Sequence, residues 1–306
     1  MAVLTGAKIY ASDYNVLQST VSTIVGVGAG IYGYNQTVNS SQIVAVAGKY
    51  PAIKLADWIA LRTDIVNAYT HIGQPNNLTI PSIPTNAKKV TSEDYNNYLA
   101  ILNATYAAST TTPPGGQSSL VTLSSRSRTT AWNGTVTHSV TLTWADRNSA
   151  RGFFNAGGQI RMSASLTGYP ADGSAQKNAD WAKLLSDMGT ITLGYGNVTC
   201  SGSYTQIISP PGSTNTGFYF LNTTSTLVFQ KGASTITYFP NQYDIYMSVS
   251  SDGSVLNLSI AFKDLSGGNP LVDENVEGTL TSTVQAYYST GTSVQSLLPS
   301  VLATGP

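Results

Sequence analysis

A change of hydrophobic period near residue 110 constrains this chain more than any other feature. Over residues 1–107 apolar residues recur three and four positions apart, the spacing of one helix face; over residues 120–290 apolar and polar positions alternate, the spacing of one strand face. A segment patterned for one geometry cannot bury its apolar face in the other. The chain therefore reads as α+β, with a helical N-terminal region (1–107) and a predominantly antiparallel β-sandwich-like domain (120–290) that carries one inserted helix. Residues 108–119, ASTTTPPGGQSS, read as the linker, because Pro113 and Pro114 cannot continue a helix and Gly115 and Gly116 fit turns. Residues 291–306 read as a tail whose apolar residues, interrupted by Pro299, call for cover by their own domain or by a neighbour.

Three helices are expected in the first region. Their stripes are Tyr14, Leu17, Val21 and Ile24; Trp58, Leu61, Ile65 and Ala68; and Tyr95, Leu99, Leu102 and Tyr106. The first and third share a start, ASDYN against TSEDYN. Ser12 and Thr91 or Ser92 can accept from free first-turn amides, and Asp13 and Asp94 suit the positive helix end, so the repeat reads as capping before duplication. In the second region Asn133-Gly134 and Asp252-Gly253 each read as a hairpin turn between alternating runs. The inserted helix, NADWAKLLSDMG, is read with Asn178 as N-cap, Trp181, Leu184, Leu185 and Met188 inward, and Gly189 as stop. Gly157-Gly158 reads as a bulge or tight corner.

Composition decides the chemistry. Two histidines, one cysteine and 10% charged residues leave few groups that move protons, hold metals or attack electrophiles, so the expectation is assembly and no enzyme. Fifteen basic residues balance fifteen acidic ones, which offers no field for free nucleic acid or an anionic membrane, and no apolar run reaches transmembrane length. Cys200 alone permits no internal disulfide. Gly28, Gly30 and Gly33 match dinucleotide spacing, yet a helix precedes them where a strand is required, so they read as a turn and no cofactor is expected. His71 reads as a helix C-terminal residue facing free carbonyls, and His138 as structural or exposed, with no Gly-x-Ser-x-Gly turn to make a triad. Asp244, Asp252, Asp264, Asp273, Glu274 and Glu277 are the carboxylates available for sugar cleavage, with DENVE otherwise a solvated loop or a weak calcium site. The 18 tyrosines suit subunit contacts or glycan stacking.

The blocks RNSARGFFNAGGQIRMSASLTG (147–168) and NADWAKLLSDMGTITLGYGN (178–197) resemble virion structural proteins of tailed bacteriophages, particularly marine and cyanobacterial ones. ASDYNVLQSTVSTIVG and ADWIALRTDIVNAYTHIGQP resemble the N-terminal part of the same group, so about half the chain carries the resemblance. It implies a neck, tail or fibre-like appendage component, present in several copies in a particle and synthesised in the host cytoplasm. Partners are then other copies of the chain and neighbouring virion proteins, with host surface glycan as an alternative partner and polysaccharide cleavage as a third reading. The candidate interface residues are Tyr14, Trp58, Arg151, Phe153, Phe154, Arg161, Tyr287 and Tyr288, with no catalytic, cofactor or metal residue assigned.

Overall fold

The computed structural model describes residues 2–44, 52–74, 77–86, 89–108, 118–170, 175–235, 238–266, 275–291 and 294–306. The chain forms two compact units: a helical one from Met1–Ser119, Arg151–Gly158 and Tyr288–Leu297, and a β-rich one from Leu120–Ala150, Gln159–Tyr287 and Leu298–Pro306. Most of the expected linker, residues 109–117, lies outside the described residues. The division is not the linear one read from periodicity, because two short later segments supply part of the helical core: Ala156 and Val294 are buried among its helices.

Helices α1 (Ala11–Val25), α2 (Leu55–His71) and α3 (Ser92–Ala108) are copies of one design. Each has an Asp at its third helical position whose carboxylate accepts the backbone N–H of the N-cap: Asp13 from Tyr10 at 2.8 Å, Asp57 from Lys54 at 2.7 Å, and Asp94 from Thr91 at 2.9 Å. The next residue is a buried aromatic, Tyr14, Trp58 or Tyr95, and the residue before the N-cap is apolar, Ile9, Ile53 or Val90, the arrangement of a hydrophobic staple. From each aromatic the buried stripe continues with one spacing: Tyr14-Leu17-Val21-Ile24, Trp58-Leu61-Ile65-Ala68, Tyr95-Tyr98-Leu102-Thr105. The third stripe thus centres on Tyr98 and Thr105; of the two other expected residues Leu99 is half-buried against the same core, while Tyr106 is 39% exposed. The first turns of all three helices line a single cavity, so the helices run in the same direction.

Parallel helices need connections that travel back along the bundle, and the later helix positions grip these extended segments. Asn15 holds the backbone of Ile43 through both amide atoms (2.7 and 3.0 Å), and Asn96, at the same repeat position, holds Val3 in the same way (2.9 and 2.8 Å). Three positions further on, Gln18 donates to the Ser40 carbonyl at 3.1 Å and Arg62 to the Pro81 carbonyl at 2.8 Å. The α2 position matching Asn15 and Asn96 is Ile59; counting three residues from the Arg62–Pro81 contact gives Pro84 as its counterpart in the extended segment, a residue with no N–H to donate.

The β-rich unit is an antiparallel sandwich. One sheet has the order β1 (Ser118–Arg128), β10 (Thr279–Ser289), β3 (Gln159–Thr167), β4 (Ile191–Leu193), β5 (Val198–Cys200). The other runs β11 (Ser300–Thr304), β2 (Gly134–Thr143), β9 (Val255–Asp264), β8 (Gln242–Val249), β7 (Thr226–Gly232), β6 (Gln206–Ile207). Asp252-Gly253 does close the β8–β9 hairpin, with Gly253 at φ +76°. Asn133-Gly134 does not: β1 and β2 lie in different sheets, because Trp132 pairs with Val276 and carries the chain across. The tail ends as edge strand β11 on β2, with Leu302 70% exposed. Two helices interrupt the strands: α4 (Arg147–Asn155), which the pattern missed, and α5 (Ala175–Met188). Helix α5 begins earlier than expected, so Asn178 is not its N-cap; its Oδ1 accepts the N–H of Glu277 at 2.8 Å. Trp181, Leu184, Leu185 and Met188 face inward, and Gly189 follows at φ +66°.

Candidate functional site

The residues singled out in the sequence do not converge on one site. Tyr14 and Trp58 sit edge to face at 5.2 Å in the helical core, and the Tyr14 hydroxyl donates to the Asp57 carbonyl at 3.1 Å. Burial, then the charges of Asp57 and Asp64, push that hydroxyl up to about 12. Phe153 and Phe154 are fully buried. Their expected role as a free contact surface gives way to internal packing, since covering both sides of a helix leaves nothing for a neighbour to touch.

Arg151 explains two blocks at once. Its guanidinium donates to the carbonyls of Gly30 (3.0 Å) and Tyr32 (3.1 Å), and Asn155 donates to that of Gly33 (3.0 Å). The loop they clasp carries Gly28 and Gly33 at φ +60° and +103°, each too close to backbone oxygen for a Cβ. Between Arg151 and Asn155, Gly152 leaves room for the Tyr34 carbonyl, which a Cβ there would meet at 2.8 Å. The dinucleotide-like glycines are therefore the receptor for RGFFN within one unit.

Arg161 and Tyr287 do meet. The guanidinium lies 4.3 Å from the ring centroid and is steadied by the Gln159 side chain at 2.8 and 3.1 Å. Both are half-buried on adjacent strands β3 and β10, where Ser127–Thr281 and Ser125–Thr283 form a hydroxyl ladder between β1 and β10. Tyr288 is half-buried in the helical unit.

The titratable groups are spent on structure. His138 bridges the two sheets, bonded through its ring nitrogens to Ser124 (3.0 Å) and Ser282 (2.8 Å), and burial, then Arg126, pulls its pKa down to about 4. His71 does not cap helix carbonyls as a cation. It is buried against Tyr34 and bonded to the backbone of Ala156, and burial lowers it to about 4, so the ring is neutral. Asp264 pairs with Lys177 at 2.7 Å, both side chains 1% exposed, and Asp244 with Lys263 at 2.6 Å. Asp252 accepts from Ser250 and Ser254 in the hairpin turn, which holds its carboxyl down at about 2. Asp273 and Glu274 lie outside the described residues. Among the described residues no three His, Cys, Asp or Glu side chains group as metal ligands, and no helix is long and apolar enough to cross a membrane.

What remains is a feature the sequence did not signal because it needs all three repeats at once. The entry segments and first turns of α1, α2 and α3 enclose a cavity of about 970 Å³. Ile9, Ile53, Trp58, Pro84 and Val90 give it apolar walls, and among the described residues its charged lining residues are Lys8 and Lys89. Neither lysine has a carboxylate partner among the described residues. Its apolar walls suit an apolar side chain, and Lys8 and Lys89 in its lining suit one that approaches with negative charge. No protein-family model, curated protein or solved structure matches the chain.

Proposed function

We propose that this chain is a non-enzymatic structural component of a tailed phage particle, in its neck, tail or a fibre-like appendage, where it assembles in several copies. The observation that carries the reading is the internal use of its scarce reactive groups: His71, His138, Asp244 and Asp264 are all buried and bonded within the fold. The lysine-flanked cavity at the helix entry is the docking end for a neighbouring virion protein. The resemblance of the 147–168 and 178–197 blocks to phage structural proteins, and a surface with few charges to keep copies apart, support the same conclusion. Quantitative mass spectrometry of purified particles tests it. The chain is expected at several copies per particle; its absence from washed particles overturns the reading.

One surface favours a second reading as a glycan-binding module. On the six-stranded sheet Gln206, Gln230 and Gln242 form a bonded chain of amides, with Gln230 anchored on the buried Asp244 and the half-buried Lys263 and Tyr246 bonded beside it. Amides beside a half-exposed tyrosine suit sugar hydroxyls and ring faces. Binding to host surface polysaccharide that Tyr246→Ala abolishes supports it, and an array without signal removes it.

A further inference from the structure

We infer that the helix-entry cavity takes an amphipathic peptide segment of the neighbouring virion protein, its large apolar side chains laid against α2 and its carboxylates turned toward the starts of α1 and α3. This rests on the docking reading above and adds the chemistry of the partner. Each of the three helices packs against the other two, so their starts surround one space. The three starts do not contribute alike. The α2 start supplies Ala52, Ile53, Leu55 and Trp58, an apolar wall among the described residues. The α1 and α3 starts supply the exposed Lys8 and Lys89. Those two starts are tied together, since the Gly6 N–H donates to the Ser92 hydroxyl oxygen at 2.9 Å, which puts both lysines on one side of the cavity.

The repeat makes this division visible. Lys8 and Lys89 each stand two residues before an N-cap, Tyr10 and Thr91, and the α2 residue at that position is Ala52. One design is thus used three times, with a cation in two copies and a methyl group in the third. The carboxylates at this end of the bundle are engaged elsewhere: those of Asp13, Asp57 and Asp94 accept N-cap backbone N–H groups, and none of the three lines the cavity. Among the described residues the cationic side therefore has no carboxylate of its own chain paired with it, and acids of a partner complete it.

A peptide suits the site better than a compact small molecule, because apolar surface continues past the cavity. A volume of about 970 Å³ lies at the top of the roughly 300–1,000 Å³ range of ligand sites, room for more than one large side chain. Tyr10, in the lining, is 60% exposed. Ile83, next to the lining residue Pro84, is 59% exposed, and Leu4, two residues before the lining residue Gly6, is 82% exposed. Apolar residues left in solvent beside a pocket mark a surface that a second chain covers, with an anchor in the pocket and near-neutral contacts around it.

The test selects a displayed library of random dodecapeptides on the full chain and titrates a fluorescein-labelled winner. The variants are Lys8→Glu combined with Lys89→Glu, and Ala52→Trp, all at exposed positions, with near-ultraviolet circular dichroism confirming that each is folded. Selected peptides are expected to combine Leu, Phe or Trp with Asp or Glu, and their saturable binding to weaken at least about tenfold in the lysine double variant and in Ala52→Trp. The same peptide with Lys in place of its acids is expected to bind the double variant and not the wild type. No enrichment, a consensus without acids, or binding that either variant leaves unchanged overturns the inference. Sodium dodecanoate that binds through Lys8 and Lys89 where no peptide does identifies a fatty-acid site and overturns the peptide assignment. Any of these failures, with the chain present at several copies in washed particles, leaves the virion reading standing. Peptide binding as expected, with the chain absent from washed particles, refutes the virion partner.

Discussion

Asp64 of the helical unit and Asp244 and Asp264 of the β-rich unit are all buried carboxylates, and they are answered by different means. In the helical unit Asp64, 1% exposed, is met by four neutral donors: the backbone N–H and side-chain amide of Asn39 and the N–H and hydroxyl of Ser40, at 2.7–3.1 Å. In the β-rich unit Asp264 and Asp244 are met by ammonium groups. Neutral donors come from the connecting strand and tie it to the bundle, so the charge secures a chain path. An ammonium partner cancels charge but is itself a buried ion once its mate is lost. The first device should degrade gradually under mutation and the second abruptly.

The largest effect is therefore expected in the β-rich unit. Asp264→Ala leaves Lys177 buried and unpaired and should cost about 3–5 kcal/mol in denaturant unfolding, whereas Lys177→Met with Asp264→Leu should restore most of it. A cost below about 1 kcal/mol would mean that water reaches the pair. Asp64→Asn keeps one acceptor oxygen and should cost less, about 1.5–3 kcal/mol, lost from charge-assisted bonds. Trp58 is the only tryptophan of the helical unit, so with Trp132, Trp144 and Trp181 replaced by Phe its fluorescence reports that loss.

The repeat makes a smaller prediction with more discrimination. Asp13→Ala and Asp57→Ala each remove one N-cap contact and should each cost about 1 kcal/mol, whereas Asp94→Ala also loses the Thr91 hydroxyl and should cost somewhat more, the three adding in combination. Unequal costs for Asp13→Ala and Asp57→Ala would show that these starts share a sequence pattern without sharing an energetic role. The smallest effect near neutrality is that of the histidines. Both have folded-state pKa values near 4, below the usual 6.5, so the unfolded chain takes up protons first as the pH falls. Their contribution is complete above about pH 6.5 and is lost progressively toward pH 4. His71→Gln and His138→Gln should flatten stability across that window, and an unchanged slope in both would contradict neutral burial.

Much of the architecture was legible in the sequence, and the misses have physical causes. The 3.6-residue period placed α1 and α2 and their buried stripes, because those residues have one apolar face. It read Tyr106 inward and passed over Tyr98 and Thr105, since those two look as polar as they look apolar. The Asp-Tyr-Asn echo of α1 and α3 was visible, but the middle copy hides behind Lys54-Leu55-Ala56-Asp57-Trp58-Ile59, where Pro84 removes the reason for an Asn. Asp252-Gly253 set a hairpin because its flanking strands pair, whereas Asn133-Gly134 was overridden by the Trp132–Val276 bridge. Helix α4 has too few residues for its period to show. The helix-entry cavity exists only once three distant segments are brought together, which no local pattern records.

Sedimentation equilibrium of the purified chain over a wide concentration range tests most directly the claim that its surfaces close against sister copies. The account predicts reversible association into multiples of the single-chain mass, persisting at high salt because the surfaces involved are uncharged. A single-chain mass at every concentration would contradict it.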